Sequence, residues 1–337
     1  MDAMALPPLV IGLVNSMPGE GRRHTDQQFR AILTAAARDV PVELRFFTLD
    51  PWAAGTLPDA AAPRYESIAA LEAAPPDGLI VSGMAPRAAH FPDESYWPAM
   101  VRLIELARGA AVPTIWSCLA AHAAVFHLDG VARQRFPRKL SGLVACARTR
   151  AAHPAMGGLP RRWLVPHSRY NDLPEAALRA AGYRILSRTE GAGADIFAKD
   201  DGAPFLFCQG HPEYDAATLL REYRRDIRQY LNGEREAYPD APENYVTAAT
   251  AALLDAFRAR ALRERRTGLM DEFPMAACLA DLGHGWRDLA VGLYANWLAD
   301  IAARKPRRPM DEGLTSARAV AWQPSGAGRP ALGVGAE

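Results

Sequence analysis

Short apolar runs alternate with longer amphipathic stretches over the first two thirds of the chain. "LVIGLVN" (9–15), "VELRFFTL" (42–49), "DGLIVSG" (77–83) and "VPTIWS" (112–117) are rich in branched and aromatic residues and predict strands. Between them, "TDQQFRAILTAAARDV" (25–40), "YWPAMVRLIELARGA" (96–110) and the segment 119–127 repeat apolar positions at helical spacing. Thr25 or Asp26 is the expected cap of the first. This alternation predicts parallel strands joined by crossover helices: an α/β fold with a doubly wound, mostly parallel sheet flanked by helices. Ligands in such sheets sit beyond the carboxyl ends of the strands. Those ends are Asn15-Ser16, Gly83-Met84 and Ser117-Cys118, all on one rim.

The pattern changes over residues 140–210. Runs such as "SGLVACAR", "RWLVPHSRY" and "FLFCQGH" are separated by Gly, Pro and Asp turns, which predicts a β-rich continuation. Helical spacing returns over 216–231, 245–265 and 286–304. Residues 305–337, rich in Pro, Gly and Ala, read as a disordered tail. Without a repeat or an evident linker, residues 1–304 read as one elaborated domain.

Charge removes several classes of function. Lys and Arg (39) nearly balance Asp and Glu (38), for a net charge of +1, so the basic excess of a nucleic-acid binder is missing. No apolar run approaches the ~20 residues of a membrane span, and no Lys or Arg precedes the first apolar run, as a signal peptide requires. Four cysteines (Cys118, Cys146, Cys208, Cys278) without CxxC spacing exclude a disulfide framework. A cytoplasmic protein is the expectation. The histidines form no ligand-spaced cluster, so no metal is implied.

Cys118 stands where a strand meets a helix. A thiol there is exposed on the ligand-binding rim and faces unpaired N–H groups, which favour a thiolate and can bind an oxyanion. Ala120, Ala121, Ala123 and Ala124 behind it let the helix pack closely. This is the nucleophile-elbow pattern with Cys in place of Ser, although a buried cysteine at a strand end would give the same local sequence. The second element is "FLFCQGHPEYD" (205–215). Pro212 keeps His211 extended, and residues two apart in an extended segment point the same way. Glu213 is then placed to orient the imidazole, completing a Cys–His–Glu set for nucleophilic catalysis.

Cys on an elbow with His-Pro-Glu resembles the class I glutamine amidotransferases, which implies their flavodoxin-like fold. A more extensive resemblance is to the homoserine O-acyltransferases (the homoserine trans-succinylase family). It runs through "IGLVNSMP" (11–18), "TDQQF" (25–29), "DGLIVSG" (77–83), "YWP" (96–98), Cys118 with "AAVFHLDG" (123–130), and "KLSG" (139–142). "PHSRY" (166–170), "GHPEYDAATLLREYRRD" (210–226), "NYV" (244–246) and "ANWL" (295–298) continue it. "PHSRY" and "GHPEYD" are its specific motifs, and an amidotransferase is not expected to carry the first.

The resemblance implies ping-pong acyl transfer from an acyl-CoA co-substrate, with no bound cofactor, to L-homoserine in methionine biosynthesis. Cys118 carries the acyl group, and His211, oriented by Glu213, handles the proton. Backbone N–H groups of Leu119 and Met84 stabilise the oxyanion. Lys139, Ser168 and Arg225 fall on the family's amino-acid-binding positions, while Arg169 is expected to brace the fold and Tyr170 to be structural. An acetyl donor, another hydroxy amino acid as acceptor, or a glutamine amidotransferase-like hydrolase are the alternatives.

Three departures accompany the resemblance. The family follows its cysteine with Trp-Gly-Ala-Gln, whereas this chain has Leu119-Ala120-Ala121-His122; His122, one helical turn on, is expected to pack on a helix face. The chain starts close to its first strand, without the N-terminal extension that helps form the family's dimer, so a homodimer stays open. At the position that sorts acyl donors stands Arg87, which either pairs with the distal carboxylate of a succinyl group, favouring it over acetyl, or points to solvent from a loop.

Overall fold

The computed structural model describes residues 7–38, 40–49, 64–84, 86, 88–149, 152–283 and 285–305. The expected tail beyond Lys305, and Arg87, lie outside the described residues. In chain order the elements are β1 (Leu9–Val14), α1 (Gly19–Ala37), β2 (Val42–Phe47), β3 (Tyr65–Glu66), α2 (Ile68–Ala73), β4 (Gly78–Val81) and α3 (Trp97–Gly109). Then come β5 (Thr114–Ser117), α4 (Leu119–Asp129), β6 (Gln134–Arg148), β7 (Arg162–Asp172), α5 (Glu175–Ala180), β8 (Arg184–Ile185) and β9 (Ser187–Thr189). The chain continues with β10 (Ile196–Asp200), β11 (Pro204–Cys208), α6 (Thr218–Leu231), α7 (Ala248–Glu264), α8 (Met275–Asp281) and α9 (Arg287–Arg304).

The main sheet runs β3-β2-β1-β4-β5-β11-β10-β8. Strands β3 through β11 in that order pair in parallel, and β10 is antiparallel to both neighbours. This is the expected doubly wound, mostly parallel sheet. Alternation sends Leu79, Val81, Trp116, Phe205 and Phe207 to the face covered by α3 and α4. Ile80, Ile115, Leu206 and Cys208 go to the face covered by α1 and α9. With both faces buried, the strands read as nearly continuous apolar runs.

The β-rich stretch divides in two. Strands β10 and β11 extend the main sheet, while β7-β6-β9 form a separate antiparallel sheet. Helices α6, α7 and α8 bury a third cluster that includes Leu219, Tyr223, Ile227, Leu254, Phe257 and Cys278.

The expected cap of α1 is not its cap. The helix begins at Gly19, and the extended residue before it is Pro18. Asp26 lies well inside the helix and turns inward, accepting from Asn15 Nδ2 at 2.7 Å and from the Tyr65 hydroxyl. Burial holds this carboxyl above its ordinary value, against those same hydrogen bonds. A pairing partner across the sheet outweighed the capping preference.

Candidate active site

Strand β5 ends at Ser117, and α4 begins at Leu119; the single residue between them is Cys118, at φ 51°, ψ −116°. Only a sharp reversal takes the chain from strand to helix in one step, and it places a non-glycine residue in a region L-residues rarely enter. Gly83, at the end of the neighbouring strand, makes room: a Cβ there would stand 3.2 Å from the Cys118 Cβ. The Cys118 N–H donates to the Cys208 carbonyl at 2.7 Å, which fixes the elbow to the end of β11. Cys118 is partly exposed, whereas Cys146, Cys208 and Cys278 are buried.

Strand β11 pairs with β5 in parallel, Cys208 opposite Ser117, so the residues just past it reach the same rim. His211 Nδ1 lies 2.8 Å from Glu213 Oε1. That carboxylate oxygen also accepts from Ser117 Oγ at 3.3 Å, and Oε2 is buried without a hydrogen-bond partner. The expected pairing of His211 with Glu213 is present, but not through an extended segment. The Tyr214 N–H donates to the His211 carbonyl at 3.2 Å and closes a turn with Pro212 at its second position, a place its fixed φ favours. The His211 N–H is anchored on the Pro166 carbonyl at 2.8 Å.

With Nδ1 occupied by Glu213, Nε2 is the ring nitrogen left to serve the Cys118 sulfur, whose charge acts on the imidazole. Burial disfavours the imidazolium, but the Cys118 sulfur and the Glu213 carboxylate outweigh it and hold His211 well above the usual histidine value. The arrangement therefore favours a charged imidazole beside the sulfur. Leu119 is the first residue of α4, so its N–H has no acceptor within the helix. Met84 follows Gly83, which packs against the elbow at Cys118.

The expected amino-acid-binding residues gather around a residue the sequence reading missed, Glu222 of α6. Its Oε2 accepts from Lys139 Nζ at 3.4 Å and from the Ser168 hydroxyl, and its Oε1 from the Tyr214 hydroxyl at 2.8 Å. Burial opposes ionisation of Glu222, yet the Lys139 ammonium and these hydrogen bonds keep its pKa below the ordinary value. Lys139 also reaches Asp226 Oδ2 at 3.1 Å. Arg225 stands half exposed, and both Nε and Nη2 donate to Asp226 Oδ1, at 3.0 and 2.8 Å. Its fork is thus taken by its own neighbour, leaving Nη1 for a ligand. A signal for Glu222 was present: acidic residues at 222 and 226 stand four apart, and Asp226 falls on the buried stripe of α6.

Behind the base lies a buried polar network. Arg169 donates to Asn171 O, Asp172 Oδ1, Gln209 Oε1, Ala192 O and His167 Nδ1, a brace as expected. His122 is more than packing: its Nε2 lies 2.8 Å from Gln209 Oε1, two residues before His211, and so ties the elbow helix to the loop of the base. Burial, then the Arg169 charge, pushes the His122 pKa down to about 3, which makes its ring neutral and Nε2–H the donor.

Among the described residues, Cys146, His167 and Asp195 are close enough to hold a metal ion. The donor chemistry argues otherwise. Arg169 Nε donates to His167 Nδ1, so in the neutral ring Nε2 carries the proton and cannot ligate. Asp195 already accepts from Ser187 Oγ and the Gly210 N–H, and a Cβ on Gly210 would stand 2.8 Å from His167 Nε2. His167 Nε2 lies 3.4 Å from Asp195 Oδ1, so the trio holds a buried His–Asp pair rather than an open ligand set.

A partly exposed thiol on a strand-to-helix elbow, with a buried His–Glu pair just past the end of the next strand, is the constellation of thiol-dependent α/β enzymes. The chain belongs to the homoserine O-succinyltransferase family, whose profile matches residues 3–307. It is similar to homoserine O-succinyltransferases of Methylorubrum extorquens (46% identical over 88% of this chain and 88% of that one) and Bradyrhizobium japonicum (42%, over 87% and 90%). The Rhodopseudomonas palustris enzyme of that name is 42% identical, over 87% of this chain and 88% of its own. Among solved structures, a glutamine amidotransferase of Methylobacillus flagellatus superposes with a TM-score of 0.48 and 17% identity, over 87% of this chain and 94% of that one. The family is one of acyltransferases in methionine biosynthesis. No helix of the described residues is long and apolar enough to cross a membrane.

Proposed function

We propose that this chain transfers a succinyl group from succinyl-CoA to the hydroxyl of L-homoserine through a thioester on Cys118. One observation carries the catalytic part: Glu213 holds His211 on Nδ1, and the same imidazole feels the Cys118 sulfur. The Cys118 thiolate attacks the thioester carbonyl, and the oxyanion forms over the Leu119 and Met84 N–H groups. As it collapses, CoA leaves as the thiol, taking the proton from His211 Nε2. The homoserine hydroxyl then gives its proton to the same nitrogen and attacks the acyl-enzyme, and the Cys118 thiolate departs. Glu213 holds the ring in one orientation and stabilises its charged form in both halves.

The Glu222 cluster supports an α-amino acid as acceptor. An ionised, largely buried carboxylate suits an ammonium group, and Lys139 with the free Nη1 of Arg225 suits a carboxylate. Ser168, bonded to Glu222, stands where it can trade that bond for one to substrate. In this reading Arg87 meets the distal carboxylate of the succinyl group.

Intact-protein mass spectrometry tests the scheme. Succinyl-CoA adds one succinyl mass to the wild type and none to Cys118→Ala, and L-homoserine then discharges it as the O-succinyl ester. Labelling by acetyl-CoA alone, discharge by serine alone, or ammonia release from glutamine without acylation would each overturn it.

A further inference from the structure

Strands β6 and β7 pair out of step beside the site. Arg135 stands opposite Asn171 and Leu140 opposite Arg169, so Phe136, Pro137, Arg138 and Lys139 together face the single residue Tyr170. Such a bulge bends the strand and re-aims its side chains. Lys139 turns in to Glu222 and Asp226. Arg135 and Arg138 stay exposed and form no salt bridge among the described residues. The Arg135 guanidinium lies 5.3 Å from the Tyr170 ring centroid and the Lys139 nitrogen 5.9 Å from the same point, so both belong to one wall of the site. Arg235 Nη1 donates to the Tyr170 hydroxyl at 3.3 Å. The carboxylates of this wall, Glu222 and Asp226, are already matched by Lys139 and Arg225. The bulge therefore adds two arginines without a salt bridge among the described residues, in a chain that is almost neutral overall.

The reaction scheme says what could use that charge. One base, His211 Nε2, serves both halves, so the departing CoA sulfur and the arriving hydroxyl must occupy the same place beside it. The pantetheine arm then leaves across the amino-acid pocket, along the wall of Lys139 and Tyr170, and Arg135 and Arg138 are the unmatched cations on the bulge of that wall. We propose that Arg135 and Arg138 bind the phosphate groups of the CoA donor; the assignment rests on the acyl-CoA reading above. Guanidinium forks suit phosphate oxygens, and exposed arginines on a rim also steer a polyanion towards the cleft.

The test compares succinyl-CoA with succinyl-pantetheine, which has the same thioester and no phosphate, in the wild type and in R135Q/R138Q. The wild type prefers succinyl-CoA by kcat/KM, and the variant loses that preference by about tenfold or more, as expected for charge-assisted hydrogen bonds. Added salt raises the KM for succinyl-CoA in the wild type more than in the variant. An unchanged preference, or an equal loss with both donors, would overturn the assignment while leaving the acyl-CoA reading intact. Wild type acylated by neither donor would remove both.

Discussion

The His211 imidazole lies flat on the Tyr214 ring, with centroids 4.1 Å apart and planes 18° apart. The same tyrosine donates its hydroxyl to Glu222 at 2.8 Å, and its carbonyl accepts from the Trp286 indole at 2.9 Å. One aromatic residue thus joins the base to the cluster proposed to bind the amino acid. A carboxylate accepting from the hydroxyl enriches the ring face, and an electron-rich face favours the cation on it. Tyr214→Phe keeps the stack and frees Glu222. The expected outcome is acylation within about twofold of wild type and a KM for homoserine raised about tenfold, the worth of one hydrogen bond to a charged acceptor. Tyr214→Leu removes the stack as well and slows acylation. Separate measurement of the two half-reactions decides it: an unchanged KM for homoserine in Tyr214→Phe would refute the link between this ring and the Glu222 cluster.

Glu213→Gln tests the electrostatics of the base. His211 is held above its ordinary value, so its charged form stabilises the fold in full below the unfolded pKa of about 6.5. That contribution fades as pH rises through the folded-state value, where Glu213 is left as a buried anion without its cation. The Tm advantage of wild type over Glu213→Gln should therefore shrink as pH rises above about 6.5, through the raised folded-state value. The variant should also lose about a hundredfold or more in acylation rate. A Tm gap that does not change with pH would contradict the assignment.

How much of this was legible in the chain follows from where the information sits. Strands β1, β2, β4 and β5 could be read because they form the buried middle of the sheet, where Ile80 or Trp116 could only be apolar; the two-residue β3 was too short to leave a pattern. Cys118 and His211 could be read because each follows a strand at a fixed offset, and strand ends share one rim. The Glu213 pairing was anticipated with the wrong backbone, since a Pro at the second position of a turn and a Pro after an extended residue leave the same sequence trace. Tyr214 and Gln209 were not legible, and Glu222 left only its four-residue spacing to Asp226 as a trace. Their partners, Lys139, Ser168, His211 and His122, are distant in sequence or met across a turn, and only the docking of α6 and the pairing of β5 with β11 bring them together. The second sheet was hidden for a similar reason: strand patterns over 140–210 do not say which sheet each strand joins.

The buried tie between His122 and Gln209 predicts an ordered series of variants. His122→Gln can still donate an N–H to Gln209 Oε1 and should keep near wild-type stability and alkylation rate of Cys118 by iodoacetamide. His122→Leu leaves that oxygen to Arg169 alone and loosens the elbow helix from the base loop. A stability loss of about 1–3 kcal/mol and a slower alkylation rate are expected. Identical behaviour of the two variants would show that packing alone matters at this position.

The elbow itself stores strain, and the last prediction separates that strain from chemistry. Cys118 sits at φ 51°, where a Cβ is crowded and glycine is not. Replacing the thiol removes the nucleophile in every variant, so Cys118→Ala and Cys118→Gly should both be inactive and unlabelled by acyl-CoA. Their stabilities should differ: Cys118→Gly relieves the backbone cost that Cys118→Ala retains. That relief is about 1 kcal/mol, diminished by the greater entropy of an unfolded glycine, and corresponds to about 2 °C in Tm for a chain of this size. Gly83→Ala acts on the same spot from the other side. A methyl group 3.2 Å from the Cys118 Cβ pushes the thiol from its place beside His211 and slows acylation without removing the sulfur. If Cys118→Gly melts below Cys118→Ala, the elbow is not strained, and a different reason must be found for a cysteine at a backbone position that glycine would occupy more cheaply.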